Sequence, residues 1–256
     1  MCSIKSSSVN ESSGIAVSPT RPNLFYTMND SGDTARFFQF SKEGALLNTM
    51  ALTDAEALDW EDMASATVDG VSYLYFGDIG DNKRERPNIT VYRVPEPGVD
   101  SPVTKYRKYD FKYPDGSHNA EALMVNPANG DIWIVTKTDN GAARVYMAKE
   151  PRTPKQLLSV NTMKHMGTIQ FSETGGFGNL VTGGDISADG KYMLLRTYSR
   201  GYEFDFTSKW WMNTPRSFEL AKEMQGEAIC YSSDGNTIYT TSEGNPCPVS
   251  MITVSR

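Results

Sequence analysis

One unit of sequence recurs five times along this chain of 256 residues, and the repetition restricts the fold more than any single motif. Each unit opens on a polar residue and a short apolar run, passes through a turn, and enters a second strand rich in aromatic and aliphatic residues. The openings begin at Glu11, Glu61, Glu121, Thr182 and Glu227. The turns lie at Pro19, Asp69-Gly70, Asn129-Gly130, Asp189-Gly190 and Asp234-Gly235. Short strands repeated at a period of roughly 40–60 residues indicate a β-propeller.

The strand pattern within each unit fits a propeller blade. The second strand is continuously apolar, as in Ile132–Val135, which is typical of a strand buried on both faces. The last unit reaches the chain end with only three strands, so Met1–Asn10 would pair with Val249–Ser255 and close the ring. We therefore predict an all-β, single-domain propeller over residues 1–256 with five blades. A sixth, degenerate blade between Gln156 and Gly178 remains the alternative.

Composition and charge exclude several classes of partner. The formal net charge is −6, and no block of basic residues is present, which argues against nucleic acid or an anionic membrane as a partner. No run approaches the eighteen or so apolar residues of a membrane span. The first residues, Met1–Lys5, carry no apolar leader, yet sequons at Asn10, Asn29 and Asn88 fit a secreted protein. We expect a secreted or extracellular monomer.

Three cysteines, Cys2, Cys230 and Cys247, leave two interpretations open. A bridge between Cys230 and Cys247 is geometrically possible, because the two residues fall in the same repeat. The alternative is three reduced thiols, one of them in the core.

The polar residues that open the units predict a ring around the central channel. Glu11, Glu61, Glu121 and Glu227 would occupy equivalent places in four blades, and Thr182 the place in the fifth. Carboxylates that converge on a narrow channel repel one another unless they are protonated, paired with cations or bridged by a metal. Oxygen ligands of this kind suit Ca²⁺, whereas the thiols and histidines are too few and scattered for zinc. The alternative is a structural network in which the glutamates bind neighbouring backbone groups and basic side chains.

A second set of polar residues ends the second strands and predicts one mouth of the channel. The set comprises Asn29, Asp78, Lys137, Arg196 and Glu243. Polar loops follow three of these strands, at Asn29–Asp33, Gly77–Arg86 and Thr138–Gly141. Loops on one face of a rigid scaffold are where ligands commonly bind, so we expect a small molecule or glycan there, contacted by Asn29, Lys137 and Arg196.

Several motifs resemble those of a family of mostly uncharacterised, often secreted bacterial propeller proteins. The motifs are Asp59-Trp-Glu-Asp-Met-Ala, Gly77-Asp-Ile-Gly-Asp-Asn, Tyr92-Arg-Val-Pro-Glu-Pro, Thr182-Gly-Gly-Asp-Ile-Ser and Gly226-Glu-Ala-Ile-Cys-Tyr. More distantly, the openings with Glu are similar to those of phytase-like and of gluconolactonase or paraoxonase-type propellers. That likeness implies a Ca²⁺ ion in the channel and the hydrolysis of phosphoesters or lactones, although six blades are typical of those enzymes.

Two functions of different class follow from these patterns. In the first, the protein is a Ca²⁺-dependent hydrolase of an ester, lactone or phosphoester, with Asp185, Asp78 or Glu243 as general base. In the second, it is a non-catalytic module that binds a glycan or protein and holds a structural cation in its channel. An unpaired carboxylate beside an open coordination position would favour the hydrolase.

Overall fold

The computed structural model describes residues 2–98, 105–137, 142–171 and 176–254, which form a ring of five antiparallel sheets around a central channel. In chain order the strands are β1 (Cys2–Ile4), β2 (Ser12–Val17), β3 (Leu24–Asn29), β4 (Arg36–Ser41), β5 (Leu46–Ala51), β6 (Trp60–Val68), β7 (Val71–Asp78), β8 (Ile89–Pro95), β9 (Arg107–Lys112), β10 (Ala120–Val125), β11 (Ile132–Thr136), β12 (Ala142–Ala148), β13 (Asn161–Thr162), β14 (Lys164–Gln170), β15 (Val181–Ile186), β16 (Tyr192–Thr197), β17 (Arg200–Asp205), β18 (Arg216–Glu219), β19 (Gly226–Tyr231), β20 (Thr237–Ser242) and β21 (Cys247–Thr253). One helical turn, α1 (Pro154–Leu157), and 3₁₀ turns at Gly176–Asn179 and Trp210–Met212 lie between strands. No helix within the described ranges is both long and apolar enough to cross a membrane.

The predicted propeller with five blades is confirmed. Blade 1 contains β2–β5, blade 2 β6–β9, blade 3 β10–β12 with β14, and blade 4 β15–β18; blade 5 contains β19–β21 and β1. The alternative of a sixth blade between Gln156 and Gly178 is wrong for the residues described there. In that stretch, β13 pairs in parallel with β9 of blade 2 and β14 pairs with β12 of blade 3.

The two chain ends close the ring, as predicted. Strand β1 pairs antiparallel with β21, with Cys2 opposite Val249 and Ile4 opposite Cys247. The backbone N–H of Gly244 also donates to the carbonyl of Asn10 at 3.0 Å. Blade 5 therefore takes its outermost strand from the amino terminus, and hydrogen bonds between the two chain ends close the ring.

Burial follows the strand order within each blade. Second strands such as β3 and β11 are buried along their whole length, whereas the outer strand β5 is largely exposed. Large aromatic side chains fill the gaps between blades: Phe37 of blade 1 packs on Phe76 of blade 2, with ring centroids 4.8 Å apart. All three cysteines are free thiols, so the bridge between Cys230 and Cys247 is absent.

Candidate metal centre at the channel mouth

A β-bulge near the start of each innermost strand aims one side chain toward the mouth of the channel. The pairing of each innermost strand with its second strand skips one residue, which shifts the register at that point. The skipped residues are Ser13, Glu61, Glu121, Thr182 and Glu227. Four of these five were predicted from the spacing of the repeats.

The first blade differs from the prediction. Glu11 precedes the bulge by two residues and is exposed, so Ser13 occupies the place expected for Glu11. The Ser13 hydroxyl donates to the carbonyl of Glu61 at 2.7 Å, and the Thr182 hydroxyl donates to the carbonyl of Gly226 at 2.8 Å. The two short side chains thus bind the next blade, in the structural role considered above as the alternative to metal binding.

Three carboxylates meet beside the bulge of blade 2. Asp30, which follows β3, lies with Asp59 and Glu61 so that one oxygen of each is within 4.8 Å of the others. Gly80 leaves the space for this cluster, because a Cβ at that position would lie 2.3 Å from Glu61 Oε1 and 2.4 Å from Asp59 Oδ2. The Gly77–Arg86 loop therefore approaches the cluster with its backbone.

Asp78 holds Asp59 in position. The Asp78 carboxylate accepts the backbone N–H groups of Leu58 at 3.2 Å and Asp59 at 3.1 Å, and it pairs with Arg86 at 2.7 Å. Asp78 is buried, and both its oxygens are engaged by donors. The geometry gives Asp78 a positioning role, in place of the general base expected from the sequence.

Burial and repulsion by neighbouring carboxylates raise the pKa values of Glu61 and Asp59. Within the described part of the chain the Glu61 carboxylate accepts no hydrogen bond, and burial followed by the charge of Glu121 raises its pKa well above the ordinary value. Burial, with Asp30 next in importance, raises the pKa of Asp59 to about 6. These carboxylates gain little from the protein when ionised, so a bound cation would relieve both burial and repulsion.

Beside the cluster, one lysine links the glutamates of blades 3 and 5. Lys137 Nζ lies 2.6 Å from Glu121 Oε1 and donates to the Tyr198 hydroxyl at 2.9 Å, which in turn donates to Glu227 at 3.0 Å. Burial raises the pKa of Glu121 despite this pairing, and Glu121 raises the pKa of Lys137 although burial opposes it. The second Glu121 oxygen, Oε2, is buried and has no hydrogen-bond partner.

These residues fit a hard divalent cation. Three convergent carboxylates provide anionic oxygens, and the unpartnered Oε2 of Glu121 is a further acceptor in the same charged group. Ca²⁺ takes six to eight oxygens at about 2.3–2.6 Å in flexible geometry, so oxygens less than about 5 Å apart can share one ion. The sequence predicted a site made by Glu11, Glu61, Glu121 and Glu227, and the structure changes that set. Glu61 belongs to the carboxylate cluster and Glu121 lies beside it. Glu227 accepts a hydrogen bond from Tyr198, and Glu11 does not occupy a bulge.

Two of the predicted ligand-binding residues are committed to the scaffold. The Asn29 amide donates to the carbonyl of Ser8 and to Asp33, each at 2.8 Å, and thereby ties the amino-terminal segment to blade 1. Arg196 is fully buried, pairs with Glu223 at 3.0 Å, and donates to the carbonyl of Ala228 at 3.0 Å.

Lys137 and Glu243 do lie at the mouth. Lys137 lines a cleft of about 480 Å³ together with Asn82, Lys83, Arg84, Asn119, Phe177 and Leu180. The exposed ring of Phe177 stacks on Tyr198, with centroids 4.5 Å apart. Glu243 is half-buried, and burial followed by the charges of Asp30 and Glu11 raises its pKa, although Gln225 opposes the shift. The predicted loop Thr138–Gly141 lies outside the described residues.

Asp185 is at the other end of the channel. The innermost strands run in the same direction, because contacts between blades join equivalent ends of these strands. Ser13 near the start of β2 contacts Glu61 near the start of β6, and the Tyr231 N–H at the end of β19 donates to Asp185 at 2.8 Å. Asp185 falls near the end of β15, whereas the glutamate bulges fall at strand starts. The structure thus does not bring Asp185 together with Asp78 and Glu243.

Sequence reasoning missed Asp30, Asp59 and Tyr198 as site residues. Asp30 and Asp59 do lie in segments singled out for their polarity or motif, Asn29–Asp33 and Asp59–Ala64. Their convergence depends on how two loops of different blades fold, which the repeat spacing does not encode. Tyr198 carried no signal, because it follows its strand as an ordinary aromatic residue.

The comparisons with known proteins support the fold. Neither protein-family descriptions nor curated proteins gave a match to this sequence. Among solved structures, a gluconolactonase from Xanthomonas campestris is similar over 95% of this chain and 72% of its own, with 10% identity and a TM-score of 0.52. A putative 6-phosphogluconolactonase from Bacteroides uniformis is similar over 95% and 67%, with 13% identity and a TM-score of 0.46. A chain of a nidogen/laminin complex is similar over 91% and 73%, with 12% identity and a TM-score of 0.50.

The first and third of these likenesses show a similar fold and no more. A gluconolactonase and a chain of a nidogen/laminin complex are comparably similar in fold, so the function has to be argued from the side chains at the channel.

Proposed function

We propose that the protein is a Ca²⁺-dependent hydrolase that acts on an ester, lactone or phosphoester at the channel mouth. The observation that carries the proposal is the cluster of Asp30, Asp59 and Glu61 beside an unpartnered oxygen of Glu121. A purely structural network would have paired these oxygens with donors, as it does at Asp78 and Asp62. The hydrolytic function named for one neighbour, the gluconolactonase, is compatible with this site.

Each residue at the mouth has a defined part in the proposal. Asp30, Asp59 and Glu61 would hold the ion, which when bound polarises the carbonyl or phosphoryl oxygen of a substrate. Glu243 is the half-buried carboxylate beside the cluster, and its raised pKa suits a group that accepts a proton from water near neutral pH. Lys137 and the stacked rings of Phe177 and Tyr198 form the adjacent wall, where a polar ligand with an apolar face would lie.

The second candidate is a non-catalytic module that binds a glycan or protein. It is favoured by the number of polar residues at the mouth that serve the scaffold, namely Asn29, Asp78 and Arg196. In that case the ion is structural and Glu243 has no substrate.

The metal site is tested first, by titrating CaCl₂ into EDTA-treated protein while recording heat and melting temperature. Saturating Ca²⁺ should stabilise the fold by about 3 kcal/mol at a hundredfold excess over the dissociation constant. Glu61→Gln should lose this response, and Glu219→Gln, at an exposed strand position, should keep it. Equal melting curves in EDTA and in Ca²⁺ would show that the cluster is not a metal site.

Turnover is tested next, with a panel of lactones, aryl esters and phosphoesters in Ca²⁺ and in EDTA. The hydrolase requires Ca²⁺-dependent turnover that Glu243→Gln abolishes without changing Ca²⁺ binding. Binding of Ca²⁺ without turnover of any compound would replace the hydrolase with the binding module.

A further inference from the structure

A small cavity opens at the end of the channel opposite the carboxylate cluster. Its volume is about 150 Å³, and its walls come from the ends of the innermost strands and the turns that follow them. Val17, Pro127 and Ile186 provide apolar wall, and Ser65 and Thr67 add hydroxyl groups. Asp185 is the only charged side chain that lines the cavity, among the residues described.

The Asp185 carboxylate has no counter-ion. It accepts the backbone N–H groups of Ile186 and Tyr231, each at 2.8 Å, and forms no ion pair with any lysine, arginine or histidine in the described ranges. The titratable side chains that face it from neighbouring strands are Asp62 of β6 and Cys230 of β19, and neither carries positive charge. Burial of this carboxylate is costly, because the two N–H groups only partly replace the water it has lost and no cation balances its charge.

Asp62 separates this cavity from the candidate metal centre. Its carboxylate extends from blade 2 and accepts the N–H groups of Leu123 in blade 3 at 2.9 Å and Gly184 in blade 4 at 3.2 Å. Asp62 is fully buried, and its hydrogen bonds cross the channel from blade 2 to blades 3 and 4 at this level. A ligand in the cavity would therefore meet Asp185 and would not reach Glu61.

We propose that this cavity binds an alkylammonium group, with Asp185 as its counter-ion. The ammonium would lie on the carboxylate, where it supplies the missing charge, and the alkyl chain would lie along Val17, Pro127 and Ile186 toward the opening. A cavity on the order of 150 Å³ admits a ligand the size of benzene, so a chain of four carbons with a terminal nitrogen fits. The same group occurs on free alkylamines and on lysine side chains, and either source satisfies the chemistry.

Burial raises the pKa of Asp185 to about 7, which agrees with a buried carboxylate that has no positively charged partner. Amine binding requires the ionised form, so its affinity should increase as the pH rises through 7 and then level off.

The test is calorimetric titration of n-butylammonium chloride in an amine-free buffer at pH 8, with butan-1-ol as the neutral probe of the same size. Butylammonium should bind to the wild type and at least about tenfold more weakly to Asp185→Asn. Asp189→Asn, which alters an exposed carboxylate four residues further along, should bind like the wild type. Equal binding of butan-1-ol, or unchanged binding to Asp185→Asn, would overturn the assignment.

A second variant guards against misfolding of Asp185→Asn. Ala188→Trp places a large side chain at the exposed rim and leaves the carboxylate intact, so it should abolish binding while the melting temperature stays near that of the wild type. A short peptide with one lysine is then compared with its norleucine analogue. Selective binding of the lysine peptide assigns the site to a lysine of a partner, and binding of butylammonium alone assigns it to free amines. Undiminished binding to Ala188→Trp would place the amine elsewhere.

Discussion

At the residue scale, the telling property of this channel is the contrast between saturated and unsaturated carboxylates. Asp78 and Asp62 each accept at least two N–H groups, whereas Glu61 accepts none within the described ranges and Glu121 leaves one oxygen unpartnered. Proteins normally satisfy buried polar atoms, so buried carboxylate oxygens without donors are candidates for contact with a ligand. This contrast distinguishes the candidate metal site from the carboxylates that serve the scaffold.

Replacing Glu61 should produce two opposite effects. Without Ca²⁺, Glu61→Gln should stabilise the protein at pH 8 by about 1 kcal/mol or more, because it removes a buried charge that other carboxylates repel. With saturating Ca²⁺ the variant should be less stable than the wild type, because a ligand is lost. Thermal melts of both proteins in EDTA and in Ca²⁺ measure the crossover, with Glu219→Gln as control. A variant less stable under both conditions would assign Glu61 to the scaffold.

Replacing Lys137 should expose the cost of the charge on Glu121. Lys137→Met leaves Glu121 buried without its cation, which typically destabilises a protein by about 3–5 kcal/mol. The loss should be larger at pH 8 than at pH 6, because a protonated Glu121 needs no partner. Adding Glu121→Gln to Lys137→Met should recover most of the stability, and denaturant unfolding of the single and double variants measures this. Additive losses in the double variant would contradict the coupling.

Repeat spacing predicted which residues stand at three of the bulges. Glu61, Glu121 and Glu227 lie there because each has the same offset from its apolar run, and their role as metal ligands stays a prediction. Glu11 was misplaced because the spacing of the first blade admits a shift of two residues, and only the bulge at Ser13 resolves it. Arg196 was misread because burial against Glu223 depends on a blade-to-blade contact that a single sequence does not reveal.

At the scale of the elements, the bulges connect the repeat to the site. A bulge turns the skipped residue out of the regular alternation, so five equivalent bulges aim five side chains at the same end of the channel. Short side chains there, Ser13 and Thr182, bind the next blade, and the glutamates reach toward the mouth. One backbone device therefore serves closure in some blades and the candidate ion in others.

The closing strand should account for a measurable part of the stability. Ile4 of β1 is fully buried, and such a side chain contributes about 1.5–3 kcal/mol. At roughly 2–4 °C per kcal/mol for a protein of this size, deletion of residues 1–8 should lower the melting temperature by at least about 3 °C. Lys5→Ala changes an exposed residue of the same segment and should leave the melt unchanged. An unaltered melt in the deletion would refute closure by this strand.

The blade pattern was readable because alternation and turn pairs are local signals. The parallel pairing of β13 with β9 was not, because β13 is only two residues long and is placed by the preceding α1 turn. The capping box of α1, in which the side chains of Thr153 and Gln156 bind each other's backbone, explains how this turn is fixed. It does not indicate which strand β13 pairs with.

At the scale of the whole molecule, the channel has two unlike ends that Asp62 keeps apart. One end gathers several carboxylates around a single lysine, and the other holds one carboxylate in a mainly apolar cavity. All these acids lie inside the ring, so the protein carries an internal negative charge that folding has to tolerate. The free energy of unfolding should therefore depend on pH through several buried carboxyl groups whose pKa values are all raised by folding.

The metal-free protein should lose stability as the pH rises through the neutral range. Burial raises the pKa of Asp185 from 3.8 to about 7, whereas the unfolded chain keeps the lower value. Between these values the folded state binds more protons, so stability is greatest at the acidic end of this window and falls with increasing pH until about 7, by up to about 1.4 kcal/mol per pH unit for one such group. Asp59, with its pKa raised to about 6, adds to the decline below that value.

Denaturant unfolding in EDTA between pH 5 and 9 measures the slope, which Asp185→Asn should flatten and Asp189→Asn should not. A stability that rises across this range in EDTA would mean that the buried carboxylates are paired with cations the structure does not show.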